Sequence, residues 1–276
     1  MIGEIVSVSA TMAVLAKRLR DSAPSMKPRL FVGPCGSGRR FLAKSLHQRG
    51  PWVELSGLGP LPLVELFAAA QEACDGTLLV TDLEELDAQA QRDLLFVMAK
   101  CSSFAHPPRF MATARPSIAL MVAEGRFSRS LYDQLSVLRH RIPSLQERLD
   151  DLPDLCRLLL TKHAHEEGQS APTLLPDGLD ALRCYDWPGN VQELSNVLLR
   201  SVWLETAIDG PAVGELLSGE SPREVVTLPL GASLAQAEKA LILASLGKYG
   251  NKAMTARVLG ITRRTLYHKL ARYCHH

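Results

Sequence analysis

The sequence predicts an α/β fold: a parallel sheet with crossover helices, followed by all-helical units. Four short apolar runs alternate with helical patterns over the first half of the 276-residue chain, and a glycine-rich turn directly follows the first run. Beyond residue 142 the apolar spacing is helical. Alternating strands and helices are typical of a parallel sheet with right-handed crossovers, whereas a continuous helical pattern indicates separate helical units.

The individual elements follow from these patterns in chain order. Apolar runs predict four strands, at residues 29–32, 52–55, 77–81 and 109–113. Helical spacing predicts helices at 8–22, 39–48 and 61–74, and a long helix that ends near residue 100. In the helical half, Pro153 interrupts one amphipathic region and a shorter helix is predicted at 176–185. Asn190 is predicted to cap a helix over residues 191–204, because asparagine is a favoured N-cap residue.

Composition argues against a membrane protein and against a secreted, disulfide-based domain. Apolar residues make up 46% of the chain, and no run of about 18 apolar residues occurs. Glu4 precedes Lys17 and Arg18, which is the wrong charge order for a secretory signal. The six cysteines are scattered without a C-x-x-C pair, so we interpret them as reduced thiols. A disulfide or zinc framework is the less favoured alternative.

Charge is distributed unevenly along the chain. The net charge is +2, but residues 234–276 carry eight Lys or Arg and a single acid, Glu238. The tail therefore has a net charge of +7 and the rest of the chain −5. A basic tail on a mildly acidic body indicates a nucleic-acid-binding module, with a solvated basic helix face as the alternative.

The glycine-rich turn has the glycine spacing of the phosphate-binding loop G-x-x-x-x-G-K-[ST]. In such loops backbone N–H groups converge on phosphate, the Lys reaches the β- and γ-phosphates, and the Ser or Thr binds Mg²⁺. Here arginine occupies both side-chain positions. The candidate nucleotide-binding residues are Gly33, Gly36, Ser37, Gly38, Arg39 and Arg40. Two interpretations stay open: a tight turn that holds no ligand, and a loop whose arginines contact a phosphate of ATP or ADP.

Eight segments in chain order resemble the bacterial enhancer-binding activators, AAA+ ATPases that remodel sigma-54 RNA polymerase. They are IGE at 2–4, GPCGSG at 33–38, SLH at 45–47, GTLLVTDLEEL at 76–86, EGRFSRSLYDQLSV at 124–137, RIPSLQERLDDLP at 141–153, YDWPGNVQELSNVL at 185–198 and GITRRTLYHKL at 260–270. The resemblance implies an AAA+ sheet of phosphate-loop type, a helical lid subdomain and an all-α Fis-type helix-turn-helix domain. Because IGE lies at residues 2–4, we expect no sensory domain ahead of the AAA+ domain.

The sequence departs from this family's pattern at the positions that carry its chemistry. Arg39 and Arg40 replace the phosphate-loop Lys and the residue after it. Thr81 and Asp82 replace the Asp-Glu pair that holds metal and water. The sensor asparagine, the two arginine fingers and the lid arginine correspond to Arg115, Ser128, Gln134 and Gln192. Because side chains alternate along a strand, we expect the Asp82 carboxylate to point to the other face.

The family's sigma-54 contact loop, which carries G-A-F-T-G-A, is also missing. Residues 60–75 leave room for one helix there. Phosphoryl transfer depends on Lys, Mg²⁺ carboxylates and arginine fingers, and one finger contributes roughly 10³–10⁵ in rate. We therefore expect no catalytic residue, no metal site, no ATP hydrolysis and no remodelling of sigma-54 polymerase. ATP or ADP is not required, although binding without turnover stays open.

The basic tail has the pattern of a helix-turn-helix and resembles the Fis-type domain of these activators. A first amphipathic helix begins near residue 234, and Asn251 caps a short second helix. Gly260 forms the turn before a basic recognition helix that starts at Thr262. Leu266 is expected in the small core of this unit.

The candidate DNA-binding residues lie on the second and third tail helices. They are Asn251, Lys252, Thr262, Arg263, Arg264, Thr265, Tyr267, His268 and Lys269. Arg263 and Arg264 suit guanine edges or flanking phosphates, because the arginine fork matches guanine O6 and N7. Tyr267 and His268 are expected near the groove, on a base or the backbone, and the remaining five are assigned to phosphates.

These observations predict that the chain has four segments and that the protein is a DNA-binding regulator. The segments are an AAA+-like α/β subdomain at 1–142, a helical lid at 143–217, a linker at 218–232 and the Fis-type domain at 233–276. We interpret the protein as a cytoplasmic, nucleoid-associated regulator that binds double-stranded DNA as a homodimer or higher oligomer. It would act by occupancy or by partnering a related enhancer-binding regulator.

Three alternatives remain from the sequence. The first is a sigma-54-dependent activator that uses ATP with unusual residues. The second is a regulator gated by ATP or ADP without turnover. The third is an interaction protein whose tail no longer binds DNA.

Overall fold

The computed structural model describes residues 5–204 and 207–218, and in the tail residues 238–239, 241–242, 245, 265–266 and 269–270. The chain divides into two compact units, residues 1–219 and 220–276, which are described separately. No helix in these described stretches is long and apolar enough to cross a membrane.

The first unit contains the predicted parallel sheet. Its strands are β1 (Arg29–Val32), β2 (Trp52–Ser56), β3 (Thr77–Thr81), β4 (Arg109–Ala114) and β5 (Leu138–Arg141). They pair in parallel in the order β2-β3-β4-β1-β5. The central strands β1, β3 and β4 are buried along their whole length, which is why they read as apolar runs.

The fifth strand was missed by the sequence prediction. Its residues Leu138, Arg139, His140 and Arg141 include three basic or titratable side chains, and only His140 is buried. An edge strand needs no continuous apolar run, because one side of it faces solvent. This segment forms a strand because it pairs with β1, and the hydrophobic periodicity of the sequence does not predict it.

Ten α-helices are described in the first unit. They are α1 (Ala10–Ser22), α2 (Arg39–Ser45), α3 (Leu63–Glu72), α4 (Ala88–Cys101), α5 (Ile118–Ala123), α6 (Arg129–Leu135), α7 (Leu152–Glu167), α8 (Pro176–Arg183), α9 (Asn190–Leu204) and α10 (Gly210–Ser218). Short 3-10 helices cover Leu83–Glu85 and Gln146–Asp151. Pro153 marks the start of α7, where a missing N–H costs nothing. One helix, α3, fills the space between β2 and β3, as predicted.

Three apolar clusters hold this unit together. Helices α3 to α6 pack on one face of the sheet, and α1 with α2 packs on the other. A third cluster joins α7 to α10, with Trp187 at 1% exposure near its centre. The helical lid therefore has a core of its own, beside the carboxyl end of β1.

The described tail residues are helical. Ile242 and Leu266 are buried, and the burial of Leu266 agrees with its predicted core position. Lys269 Nζ lies 2.5 Å from Glu238 Oε1, so these two residues form an ion pair within the tail unit.

Candidate functional site

The glycine-rich loop has the strand–loop–helix geometry that the sequence predicts. It joins the end of β1 to the start of α2, at the carboxyl edge of the sheet. Gly36 and Gly38 adopt φ values of +70° and +97°, a conformation that favours glycine. The Gly33 N–H donates to the Ala114 carbonyl, which fixes the loop to β4. The six predicted loop residues are therefore brought together.

Arg39, which stands at the phosphate-loop Lys position, is bound to carboxylates of its own chain. Its Nη2 lies 3.2 Å from Asp82 Oδ1, and its Nη1 lies 3.8 Å from Glu84 Oε1. The Arg39 side chain is only 10% exposed, and that of Glu84 only 4%. Asp82 therefore accepts a hydrogen bond from the guanidinium, and Glu84 adds a longer electrostatic contact in a place where water screens little.

The position of Asp82 corrects one expectation. The alternation rule predicted that its carboxylate faces away from the loop. Instead β3 ends at Thr81, and Asp82 adopts φ 52° and ψ 54° in the left-handed region. Its N–H donates to Thr113 Oγ1 at 3.2 Å. The chain turns at this residue, so strand alternation no longer applies and the carboxylate reaches Arg39.

Arg115 continues the network from the end of β4. Its Nε lies 3.0 Å from Glu84 Oε1, and its backbone N–H donates to Glu84 Oε2 at 3.1 Å. Its Nη2 lies 2.9 Å from Glu85 Oε1. The buried carboxylate of Glu84 therefore lies between two guanidinium groups, one from the loop and one from β4. Sequence reasoning missed Glu84, although two acids directly after β3 opposite several arginines were a usable signal.

The second arginine of the loop is also paired. Arg40 Nε lies 2.7 Å from Glu54 Oε1, although the Arg40 side chain is 72% exposed. A polar cleft of about 670 Å³ lies beside these residues, and Lys44 also lines it. The cleft has room for a phosphate chain. Its two loop arginines, however, lie against acids.

Two further departures from the family pattern are Ser128 and Thr81. Ser128 caps α6, because its hydroxyl accepts from the Leu131 N–H at 3.3 Å. Thr81 provides a hydroxyl beside the cleft in place of a carboxylate. The neutral hydroxyl of Thr81 does not supply the negative charge that a carboxylate brings to Mg²⁺ at this position. No group of three or more His, Cys, Asp or Glu suited to a metal occurs among the described residues.

Residues of the lid donate hydrogen bonds to three backbone carbonyls of the loop. Asn190 Nδ2 donates to Cys35 O at 2.8 Å, the Gln192 N–H to Gly36 O at 3.1 Å, and Arg148 Nη2 to Ser37 O at 2.8 Å. These three carbonyls are consecutive in the loop. Three direct hydrogen bonds therefore fix the lid to the loop.

Asn190 was wrongly predicted as a helix cap. Its φ is 53°, and its Oδ1 accepts from the Leu145 N–H at 2.8 Å while its Nδ2 holds the loop. The Glu193 carboxylate receives the Gly189 N–H at 2.8 Å instead. The asparagine thus joins two segments that are far apart in sequence, which local capping rules cannot anticipate.

Most of the predicted DNA-binding residues lie outside the part of the chain that the structure describes. Asn251, Lys252, Thr262, Arg263, Arg264, Tyr267 and His268 lie outside the described residues. Thr265 and Lys269 are helical and partly buried. The ion pair with Glu238 gives Lys269 a partner inside the tail, which competes with a phosphate contact. All nine assignments stay predictions.

Three family models match consecutive parts of the chain. The Sigma-54 interaction domain matches residues 6–145, and the AAA+ ATPase lid domain matches residues 146–213. The model described as bacterial regulatory protein, Fis family, matches residues 233–273. The order of the three models is that of the predicted units.

Curated relatives match over nearly the whole chain. The transcriptional regulatory protein ZraR of Escherichia coli is 31% identical over 97% of this chain and 68% of its own. The acetoin catabolism regulatory protein of Cupriavidus necator is 32% identical over 94% of this chain and 44% of its own. The regulatory protein AtoC of Escherichia coli is 28% identical over 98% of this chain and 68% of its own.

Solved structures share the fold. NtrX from Brucella abortus in complex with ADP superposes with a TM-score of 0.69 at 23% identity, over 99% of this chain and 69% of its own. RuvB from Thermotoga maritima superposes with a TM-score of 0.55 at 12% identity, over 96% of this chain and 86% of its own. At such identities the likeness concerns the fold alone.

Proposed function

The chain belongs to the bacterial transcriptional regulators that combine a sigma-54 interaction domain, an AAA+ lid and a Fis-type DNA-binding domain. We propose that this member regulates transcription by occupying DNA through its tail, and that its AAA+ body does not hydrolyse ATP. The body then serves as a platform for assembly or for a partner regulator. The observation that carries the proposal is the ion pairing of Arg39 with Asp82 and Glu84.

The charges around the loop support the loss of ATP turnover. A phosphate-loop cation accelerates phosphoryl transfer only when its charge is available to the β- and γ-phosphates. Here a triphosphate would have to displace Asp82 from Arg39, and it would meet a further carboxylate, Glu54, on the wall of the cleft. Displacement would leave Asp82 without its arginine next to a polyanion, which is unfavourable.

The missing output loop supports a role other than remodelling sigma-54 polymerase. The segment between β2 and β3 folds into the single helix α3, and the sequence contains no G-A-F-T-G-A. In this family that loop is the part that contacts sigma-54. The proposal therefore assigns regulation to DNA occupancy, or to mixed assembly with a relative that retains the loop.

The tail supports DNA binding by its charge and its family match. Its net charge of +7 over 43 residues is concentrated in the segment that the Fis-type model covers. Such a surface attracts phosphate regardless of base sequence, and an arginine at the start of a recognition helix adds base readout. We propose a homodimer that reads a near-palindromic site, because two copies of a helix-turn-helix place two recognition helices one DNA turn apart.

Steady-state phosphate release from ATP tests the proposal. Purified full-length protein is expected to release no more phosphate than Arg39→Ala, with or without DNA. Arg49→Ala is the matched control, because Arg49 forms an exposed surface pair with Asp75. Turnover by the wild type and Arg49→Ala that disappears in Arg39→Ala would contradict the proposal and favour an ATP-driven activator.

A second candidate, a regulator gated by nucleotide without turnover, is favoured by one observation. The loop glycines keep their left-handed conformations, and the cleft of about 670 Å³ beside them is open. The NtrX structures include complexes with ADP and ATP, so this fold holds nucleotide in that protein. If this candidate holds, ATP or ADP will change the oligomeric state or the DNA affinity of the chain without being consumed.

A further inference from the structure

The edge strand β5 has an outer side to which a further strand can pair. It ends the strand order of the sheet, and β1 is its pairing partner among the described strands. The N–H groups of Leu138 and Ile142 donate to carbonyls on the β1 side. Because backbone groups alternate in direction along a strand, the N–H and C=O groups of Arg139 and Arg141 point away from β1. The outer edge therefore presents donors and acceptors to a further strand.

The same edge carries positive charge. Arg139 Nη1 donates to the neutral Tyr132 hydroxyl at 3.0 Å, so the charge of this arginine is not neutralised there. Arg18 on α1 is exposed and lies near the same edge. Among the described contacts of these two arginines and Arg141, only the pair of Arg141 with Glu147 involves an acid. The edge therefore favours an acidic partner.

The two faces of β5 differ in chemistry. A hollow of about 420 Å³ lies between α1 and β5. Its apolar walls are Val14, Leu15 and Pro143. His140 points to this face, because its ring centroid lies 5.4 Å from that of Phe31, whose side chain packs with α1. Alternation places the Arg139 and Arg141 side chains on the opposite face. An added strand would therefore meet apolar surface with one set of alternate side chains and guanidinium groups with the other.

We propose that the outer edge of β5 binds an extended segment of a partner protein in which acidic and apolar residues alternate. Backbone hydrogen bonds to Arg139 and Arg141 supply affinity, and the alternate side chains supply specificity. The inference rests on the proposed function, in which the body is a platform for a partner, and it names the chemistry of that partner.

Two other occupants fit this edge less well. A second copy of β5 would bring arginines opposite arginines, and like charges across a strand pair are destabilising. A DNA phosphate could accept from the outward N–H groups, but it has no donor for the outward carbonyls, whereas a strand satisfies both. The combination of backbone pairing groups and basic side chains therefore favours an acidic strand.

Fluorescence anisotropy of a labelled peptide tests the site in the full-length protein. The peptide has eight residues and blocked ends, and glutamate and valine alternate along it. It is expected to bind saturably at one molecule per chain and to slow hydrogen exchange of the Arg139 and Arg141 amides at least tenfold. A peptide with one central valine replaced by proline, which lacks the N–H, should bind at least tenfold more weakly.

Two charge reversals locate the peptide. Arg139→Glu changes an exposed side chain of β5 and is expected to weaken binding at least tenfold. Arg49→Glu makes the same change just before β2, at the opposite edge of the sheet, where the Arg49 side chain is 78% exposed. This matched control is expected to keep wild-type affinity.

The possible outcomes separate the occupants. Absence of saturable binding overturns the inference, and so does equal binding by the wild type and Arg139→Glu, which would place the peptide elsewhere, for example on the basic tail. Binding without slower exchange of the two amides excludes strand addition and also overturns it. An equal loss of affinity for a DNA duplex in Arg139→Glu would assign the edge to phosphate instead.

Two further readouts keep this test independent. If Arg139→Glu does not fold, amide exchange in the wild type with and without peptide decides alone. Phosphate release from ATP tests the proposed function separately, so a failure of the peptide to bind overturns this inference and leaves the absence of ATP turnover untouched.

Discussion

In the cleft, each loop arginine lies beside carboxylates of the same chain, whereas in the tail eight basic residues share one acidic side chain. Arg39 contacts Asp82 and Glu84, and Arg40 contacts Glu54. In the tail the sole carboxylate side chain, Glu238, pairs with Lys269. Basic residues paired inside the chain contribute to its stability, whereas a local excess of basic residues in the sequence is suited to an anionic partner. The difference assigns structure to the first region and DNA binding to the second.

The salt dependence of DNA affinity is expected to give the largest effect that distinguishes the tail from the cleft. If a dimer makes about six phosphate contacts through its tails, DNA affinity should fall about 10³-fold between 50 and 200 mM salt, because bound counterions are released. Fluorescence anisotropy with a labelled duplex measures the slope. The matched samples both contain Mg²⁺ at the same ionic strength, with and without ATP, and the slope should be the same in the two. A slope near zero would mean that the tail charge does not face phosphate.

Gly36→Ala tests whether this glycine is required for close packing of the loop against the lid rather than for binding a ligand. An added Cβ would lie 2.0 Å from the Gly189 carbonyl oxygen, at a φ of +70°. Overpacking and the left-handed backbone together should lower the free energy of unfolding by about 4 kcal/mol. Gly38→Ala is the control: it has φ +97° but no atom within 4 Å of the new Cβ, and should cost about 1–2 kcal/mol. Equal losses in urea unfolding would remove lid packing as the reason for Gly36.

Arg39→Ala tests the structural role of the loop cation. Removing it leaves Asp82 without its arginine and Glu84 with Arg115 alone, so the free energy of unfolding should fall by about 3 kcal/mol. Arg49→Ala, which breaks an exposed pair with Asp75, should cost under about 0.5 kcal/mol. Chemical denaturation without nucleotide makes the comparison. If Arg39→Ala is as stable as the wild type, the ion pairs do not explain why arginine is there.

Arg263→Ala tests whether the tail contacts a base or only phosphates at this position. If Arg263 reads a base, the substitution should weaken specific binding by about 1–3 kcal/mol and relax one base position of the site. Binding to a panel of single-base operator variants measures this once bound promoters are mapped. A uniform loss across the panel would identify Arg263 as a phosphate contact instead.

Local patterns in the sequence predicted much of the fold, and long-range contacts account for what they missed. The four apolar strands and the strand–loop–helix geometry were predictable because buried parallel strands and loop glycines leave local signals. The edge strand β5 has no such signal, since three of its four residues are Arg or His. The departures at Arg39 and Thr81 were also visible in the sequence.

The partners of the site residues were harder to predict. The Asp82 prediction was wrong because the end of β3, one residue earlier, decides where that carboxylate points. The Asn190 contacts to Cys35 and Leu145 span 155 and 45 residues, so no local rule contains them. Sequence periodicity predicts which face of an element is buried, but it does not predict which charged groups meet across the fold.

Calorimetric titration of Mg²⁺-ATP into the full-length protein tests most directly the central claim that the loop arginines are paired inside the chain and are not available to phosphate. Because Asp82 and Glu84 already occupy Arg39, the account predicts no saturable heat of binding, and the same trace for Arg39→Ala. Saturable binding of one ATP per chain that is kept in Arg49→Ala and lost in Arg39→Ala would contradict it.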